Sequence, residues 1–227
     1  MSANRTGQRW NPVSPDRGML LLNSRVTRDA GNRGRPRDSS IDDRVLALTR
    51  ELLVEVGWDG LSVRLIAARA GVGRASLNRR WPSKAALVLH AILGEAPDLT
   101  PFSGTDVAGW IDWVVRGSHE LFSRPDVQAA VPGLLLALQD SEELRQSLWL
   151  SFSGPAVELF AADVGGTSDE ERRSADLDAR AVLAMAAGAA LFLTTVATAD
   201  DSAAVQRRIT ELLTSGVGAV GSERLDD

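Results

Sequence analysis

Three arginines, a serine, an asparagine and the only lysine of the chain fall within GVGRASLNRRWPSK, residues 71–84. Guanidinium forks match phosphate oxygens and the O6/N7 edge of guanine, an asparagine amide matches the edge of adenine, and a small methyl side chain can approach a thymine methyl. Set on a helix in the major groove of DNA, Arg74, Asn78 and Ala75 would supply those three contacts. Lys84, in the first turn of a following helix, would favour a phosphate together with the free backbone N–H groups there. Ser62 and Arg64, at the start of the preceding helix, would reach the duplex backbone or a flanking base. Trp81 fits the apolar closure of a small core better than a base-stacking platform.

Other chemistries find less support. The acidic pairs Glu142–Glu143 and Glu170–Glu171 have the composition of an acid–base site, but they fall in expected caps and loops. No cysteine or tyrosine accompanies them, nor any nucleophile elbow or phosphate-binding glycine loop. A small helical enzyme is therefore a poor fit. Two histidines, His90 and His119, cannot build a metal site alone, and neither a metal nor a cofactor is expected.

Charge is distributed unevenly. Residues 1–90 hold 16 Lys+Arg against 8 Asp+Glu, whereas residues 91–227 hold 9 against 22, within a net charge of −5. A basic third on an acidic remainder suits a chain that meets a polyanion at one end only, with uneven surface decoration as the alternative. The absence of cysteine, of a signal-peptide core and of a membrane-length apolar run makes a cytoplasmic protein the expectation.

These side chains need elements to hold them. Residues 1–37 lack apolar periodicity and read as a disordered arm, within which Met19 is an alternative translation start. Its arginines, Arg35 and Arg37 among them, suit a phosphate backbone or a minor groove, although a solvated tail would have the same composition. From Ser40, spaced from Asp43 as in a capping box, Ile41, Val45, Leu48, Leu52, Leu53 and Val56 recur on one helical face that should stop at Gly57. Further helices are expected at 63–70, 74–81 and 84–93. The spacing Ala67-x3-Gly71-x5-Leu77 supplies a small residue where two helices touch, a turn glycine and an apolar inner face, the signature of a helix-turn-helix.

Residues 34–92 carry GRPRD and then LTRELLVEVGWDGLSVRLIAARAGVGRASLNRRWPSKAALVLHAI. This run resembles the N-terminal DNA-binding domain of the tetracycline-repressor (TetR) family of transcriptional regulators. The resemblance implies an all-α protein with a three-helix DNA-binding head over 38–93 and a helical ligand-binding and dimerisation body over 94–227. It implies a homodimeric repressor, released from a palindromic double-stranded DNA operator by a small-molecule effector. Carried over residue by residue, the DNA contacts fall on Ser62, Arg64, Arg74, Ala75, Ser76, Asn78, Arg79, Arg80 and Lys84. Ser76 stands where threonine is common and Asn78 where tyrosine is. The second exchange removes a phenol that commonly meets phosphate, which leaves Asn78 either to read a base or to leave that phosphate uncontacted. A helical sensor acting mainly through protein partners is the alternative reading.

The body carries no comparably specific motif. Helices are expected at 105–123, 125–139, 141–162, 174–199 and 202–216, with Pro132 and Pro155 kinking or splitting two of them. Trp110, Trp113, Val114, His119, Phe122, Trp149, Phe152 and Met185 are candidate pocket residues for an apolar or amphipathic effector, with plain core as the alternative for each. The small-residue run 181–197 is apolar nearly all round and suits close packing against a twin subunit. Ala184, Gly188, Leu191, Phe192, Ile209 and Leu212 are the interface candidates. The run is shorter than a membrane span and acidic at its flanks, so no membrane partner is expected.

Overall fold

The structure, a computed structural model, describes residues 39–94, 106–164 and 168–223. The arm with Arg35, Arg37 and Met19 lies outside them. Every described element is helical, in the order α1 Ser39–Gly60, α2 Val63–Ala70, α3 Arg74–Arg80, α4 Lys84–Leu93, α5 Val107–Phe122, α6 Pro125–Asp140 and α7 Glu142–Leu148. A π-helical turn, Trp149–Ser153, then leads to α8 Gly154–Val164, α9 Asp169–Thr195 and α10 Ala203–Glu223.

α1 already begins at Ser39, so Ser40 lies within the helix and not at its cap. Val45, Leu52 and Leu53 are buried along one face, and Thr49 turns its hydroxyl back to the Val45 carbonyl at 2.8 Å, which lets a polar residue lie in the core. Val56, expected on that face, is 38% exposed. The reason is Gly57, whose φ of 67° and ψ of −179° break the helix in a region that only glycine adopts without strain. Arg50 donates to the Ala91 carbonyl at 2.7 Å and Arg124 to the Ile92 carbonyl at 3.1 Å. Both bonds fasten the last turn of α4, whose carbonyls lack helical partners.

The apolar core does not stop at Leu93. Leu52, Leu77, Leu87 and Val88 form one cluster with Leu121, Val127, Ala130 and Leu134, so α1 and α4 lie directly on α6. A second cluster unites α5, α8, α9 and α10 through Trp110, Ile111, Val114, Phe160, Ala179, Val182 and Leu213. Pro132 does not split α6; it is exposed on a continuous helix. Pro155 does mark a division, since it follows the π turn and begins α8, where its missing N–H is least costly.

α9 starts five residues earlier than its apolar pattern suggests because Ser168 and Glu171 close a capping box. The Ser168 hydroxyl accepts from the Glu171 N–H at 3.2 Å, and Glu171 accepts from the Ser168 N–H at 2.9 Å. Glu171 thus has a capping role, and Glu142 likewise pairs with Arg145 at 2.5 Å in the first turn of α7. At 27 residues α9 is long and apolar enough to cross a membrane by length and composition, unlike the apolar run 181–197 taken alone.

Two of the three described glycines with positive φ give the first test. A Cβ added at Gly57 or Gly71 meets no atom within 4 Å, so the cost of substitution is conformational. Gly71→Ala is expected to lose about 1–2 kcal/mol for left-handed backbone, and Gly57→Ala about 2–3 kcal/mol for a region closed to side chains. Urea midpoints at constant m-value measure both, and the reverse order would contradict this account.

Candidate nucleic-acid interface

The α2–α3 corner is built from local rules. Ser62 in extended conformation accepts the Leu65 N–H at 3.2 Å and starts α2. Gly71 ends it with φ 66° and ψ 31°; its N–H reaches the Ala68 carbonyl while the Val72 N–H reaches the Ala67 carbonyl at 3.0 Å. This double closure is a Schellman motif, which turns the chain sharply toward the next helix. Ala67 and Leu77 are buried at the crossing with Leu61 and Ile66. Trp81 closes the small core at 6% exposure and donates its indole N–H to His90 Nδ1 at 3.1 Å.

With Leu77 inward, α3 presents Arg74, Ala75, Asn78 and Arg79 to solvent, and Ser62 and Arg64 are also exposed at the start of α2. Arg64, Arg74 and Arg79 make no ion pair among the described residues, whereas Arg69 pairs with Glu55 at 3.2 Å. The body differs. Arg116, Arg124, Arg145, Arg172, Arg180 and Arg208 each face a carboxylate. Arg173 and Arg207 of the body are also without an ion pair among the described residues, but Arg64, Arg74 and Arg79 lie together at this corner and offer forked donors without first breaking an internal bond.

Two expected contacts are placed differently. Arg80 is half-buried and lies 2.6 Å from Asp42, so it ties α3 to α1 instead of facing outward with its neighbours. Ser76 is also half-buried. Lys84 donates to the Trp58 carbonyl at 2.9 Å and lies 4.3 Å from the centre of the Trp58 ring. Partial burial lowers its amine below the ordinary lysine value, against a smaller opposing effect of Asp59. Trp58 was not among the residues singled out by type or spacing. It rests against Gly133 of α6, where an added Cβ would come within 2.0 Å of the indole. A glycine in a helix next to Pro132 carries no signal of such a contact.

Of the pocket candidates, Trp113, Val114 and Phe152 border a cavity of only about 40 Å³ inside the body. Trp110 is 3% exposed and packs on Phe160 at 4.2 Å between ring centres, so it is core. Phe122 packs at the edge of the first cluster. Trp149 lies beneath the Arg180 guanidinium at 4.6 Å. Met185 is 51% exposed and lines neither of the two cavities described here. Among the interface candidates, Ala184, Gly188, Phe192 and Leu212 are exposed, with Leu177 and Val196 on the same side of α9. Leu191 and Ile209 are half-buried, against the first and second clusters respectively.

His119, the expected polar anchor, is engaged within the protein. Its Nε2 lies 2.8 Å from Asp201 Oδ1, joining α5 to the α9–α10 turn, and Gln206 donates to the same carboxylate at 3.1 Å. The His119 bond is the main reason the Asp201 carboxyl lies below its usual range. A depressed carboxylate contributes stability above its unfolded value, lost as pH falls through its folded one. Asp201→Asn is therefore expected to lower Tm at neutral pH, with the difference closing below about pH 4. Thermal melts from pH 7 to pH 3 check this, and a constant difference would exclude it.

Fold and corner together define an all-helical protein with a helix-turn-helix head on a helical body. Residues 45–91 match the family described as bacterial regulatory proteins, tetR family. The helix-turn-helix head is thus of the tetR type. It is 38% identical to the HTH-type transcriptional regulator YdeS of Bacillus subtilis over 73 residues, 32% of this chain and 37% of YdeS. The chain thus spans little more than a third of YdeS. It is 26% identical over 175 residues to the HTH-type transcriptional regulator Rv2250c of Mycobacterium tuberculosis, covering 75% of this chain and 90% of that one. Among solved structures, NalD, the secondary repressor of the MexAB-OprM multidrug efflux pump in Pseudomonas aeruginosa, superposes with a TM-score of 0.52 at 20% identity over 78% of this chain and 96% of its own. Salmonella enterica GusR gives 0.53 at 19% over 79% and 96%. At these identities the two structures speak for the fold alone. YdeS and Rv2250c are named as transcriptional regulators and NalD as a repressor.

Proposed function

We propose that the chain is a cytoplasmic, homodimeric transcriptional repressor that holds a palindromic operator through α3 and releases it on binding a small apolar or amphipathic molecule. The unpaired cationic face of α3 carries this reading. Arg74 reads guanine, Asn78 adenine, and Arg79, with Ser62 and Arg64, meets the backbone. Arg80 serves first as the strut to Asp42. Lys84 keeps its remaining N–H groups for a phosphate beside the start of α4. The arm arginines Arg35 and Arg37 add contacts along the duplex.

The dimer reading draws on the outer face of α9. Leu177, Ala181, Ala184, Gly188, Phe192 and Val196 are all exposed and recur at helical spacing, an apolar stripe that water penalises and a two-fold copy would cover. Exposed Leu212 of α10 extends it. Duplex from around the chain's own gene should be bound with affinity that falls steeply with salt, by about 0.9 log units per log unit of salt for each neutralised phosphate. Fluorescence anisotropy against a scrambled duplex measures this, and equal affinity for both would exclude an operator. Sedimentation should give a dimer that Phe192→Glu converts to monomer.

A further inference from the structure

Between the α3–α4 corner and the α7–π segment lies a cleft of about 660 Å³. Small-molecule sites span roughly 300–1,000 Å³, a range the 40 Å³ body cavity does not approach. The cleft is bounded on the head side by Trp81, Leu89 and Leu93 and on the other by Leu144, Leu148 and Phe152. Phe152 also borders the body cavity, so the π turn forms the partition between the two spaces.

His90 lines the cleft. The Trp81 indole donates to Nδ1, which places the proton of the neutral ring on Nε2 and makes that nitrogen a donor of fixed position. The rim carries two charged residues, Arg80 and Glu143. Arg80 is committed to Asp42, so no free cation awaits an acid. Glu143 sits in the first turn of α7, where the helix N-terminus offsets it. The Ser83 and Ser141 hydroxyls are occupied as caps by the Ala86 and Leu144 N–H groups.

We propose that this cleft is a binding site for an uncharged aromatic amphipath with one carbonyl acceptor, held by its apolar walls and by the His90 Nε2–H. The cleft borders Arg80–Ser83, the corner that ends α3, so an occupant bears on the position of the reading helix. That regulatory consequence rests on the function proposed above; occupancy of the cleft does not.

The test is a titration of the full chain, without DNA, with 6-propionyl-2-(dimethylamino)naphthalene, a neutral naphthyl ketone whose emission moves to the blue in apolar surroundings. Saturable blue-shifted emission is expected. Ser147→Trp and Ser151→Trp fill the cleft from exposed positions and should each raise Kd at least about tenfold, equivalent to 1.4 kcal/mol. Ser118→Leu, which fills the body cavity, should leave Kd unchanged. Circular dichroism confirms that each variant is folded. Absence of a saturable signal, wild-type binding by both tryptophan variants, or loss of binding through Ser118→Leu alone would overturn the proposal. Because no duplex is present, such a result leaves the DNA-binding reading to its own test.

Discussion

Gly133→Ala is expected to destabilise the protein by about 3 kcal/mol, at the upper end of what overpacking a filled core costs. The added Cβ would lie 2.0 Å from Trp58 Cε2 and 2.1 Å from Nε1, far inside contact distance, and a fused ring cannot yield by changing the rotamer of a terminal atom. Either α6 retreats from α1 or Trp58 leaves its seat. The second course also removes the ring that faces Lys84, so the start of α4 should loosen together with the α1–α2 turn. Urea unfolding followed by tryptophan emission measures the loss. Trp58→Leu combined with Gly133→Ala should recover part of it, since neighbours that clash couple in a double-mutant cycle. A change below about 1 kcal/mol would mean that the head does not lean on α6 in solution.

Loss of the cationic face should have the largest effect on DNA. The double variant Arg74→Ala, Arg79→Ala is expected to weaken operator binding at least about 100-fold at moderate salt and to flatten the salt dependence by about one unit per lost phosphate contact. Arg74→Ala alone should relax preference at one base pair by about 1–3 kcal/mol. Arg69→Ala is the control of equal charge for the single variant. Arg69 is engaged with Glu55 in an exposed pair, worth little to stability, and its loss should leave affinity within about threefold. Anisotropy titrations across a salt series separate these outcomes. Similar losses from Arg69 and from the α3 pair would reduce the interface to net charge.

Much of the helical order was legible because its signals are local. Ser62, Gly71 and Ser83 act within three residues of themselves, and the helices they bound lie where capping and turn chemistry put them. The same holds for the outward residues of α3: burying Leu77 determines the sides on which Arg74, Asn78 and Arg79 emerge. Arg80, one position further, escapes the rule because its partner Asp42 lies on α1. The filling of the body interior was not legible for a related reason. Aromatic side chains at helical spacing indicate burial but carry no record of whether their neighbours fill the space, and Trp110 with Phe160 fills it.

By itself the sequence determined an all-helical chain, the helix-turn-helix corner and the cationic side chains of its outer face, since each follows from backbone preference and apolar periodicity over a few residues. Only the tertiary structure decided that Arg80 and Lys84 are partly committed within the protein, that Trp58 rests on Gly133, and that the larger of the two cavities lies between head and body. Those outcomes join residues between 26 and 75 positions apart, or depend on volume left between helices. Contacts of that range arise from packing, in which neither partner is marked by its own type or spacing.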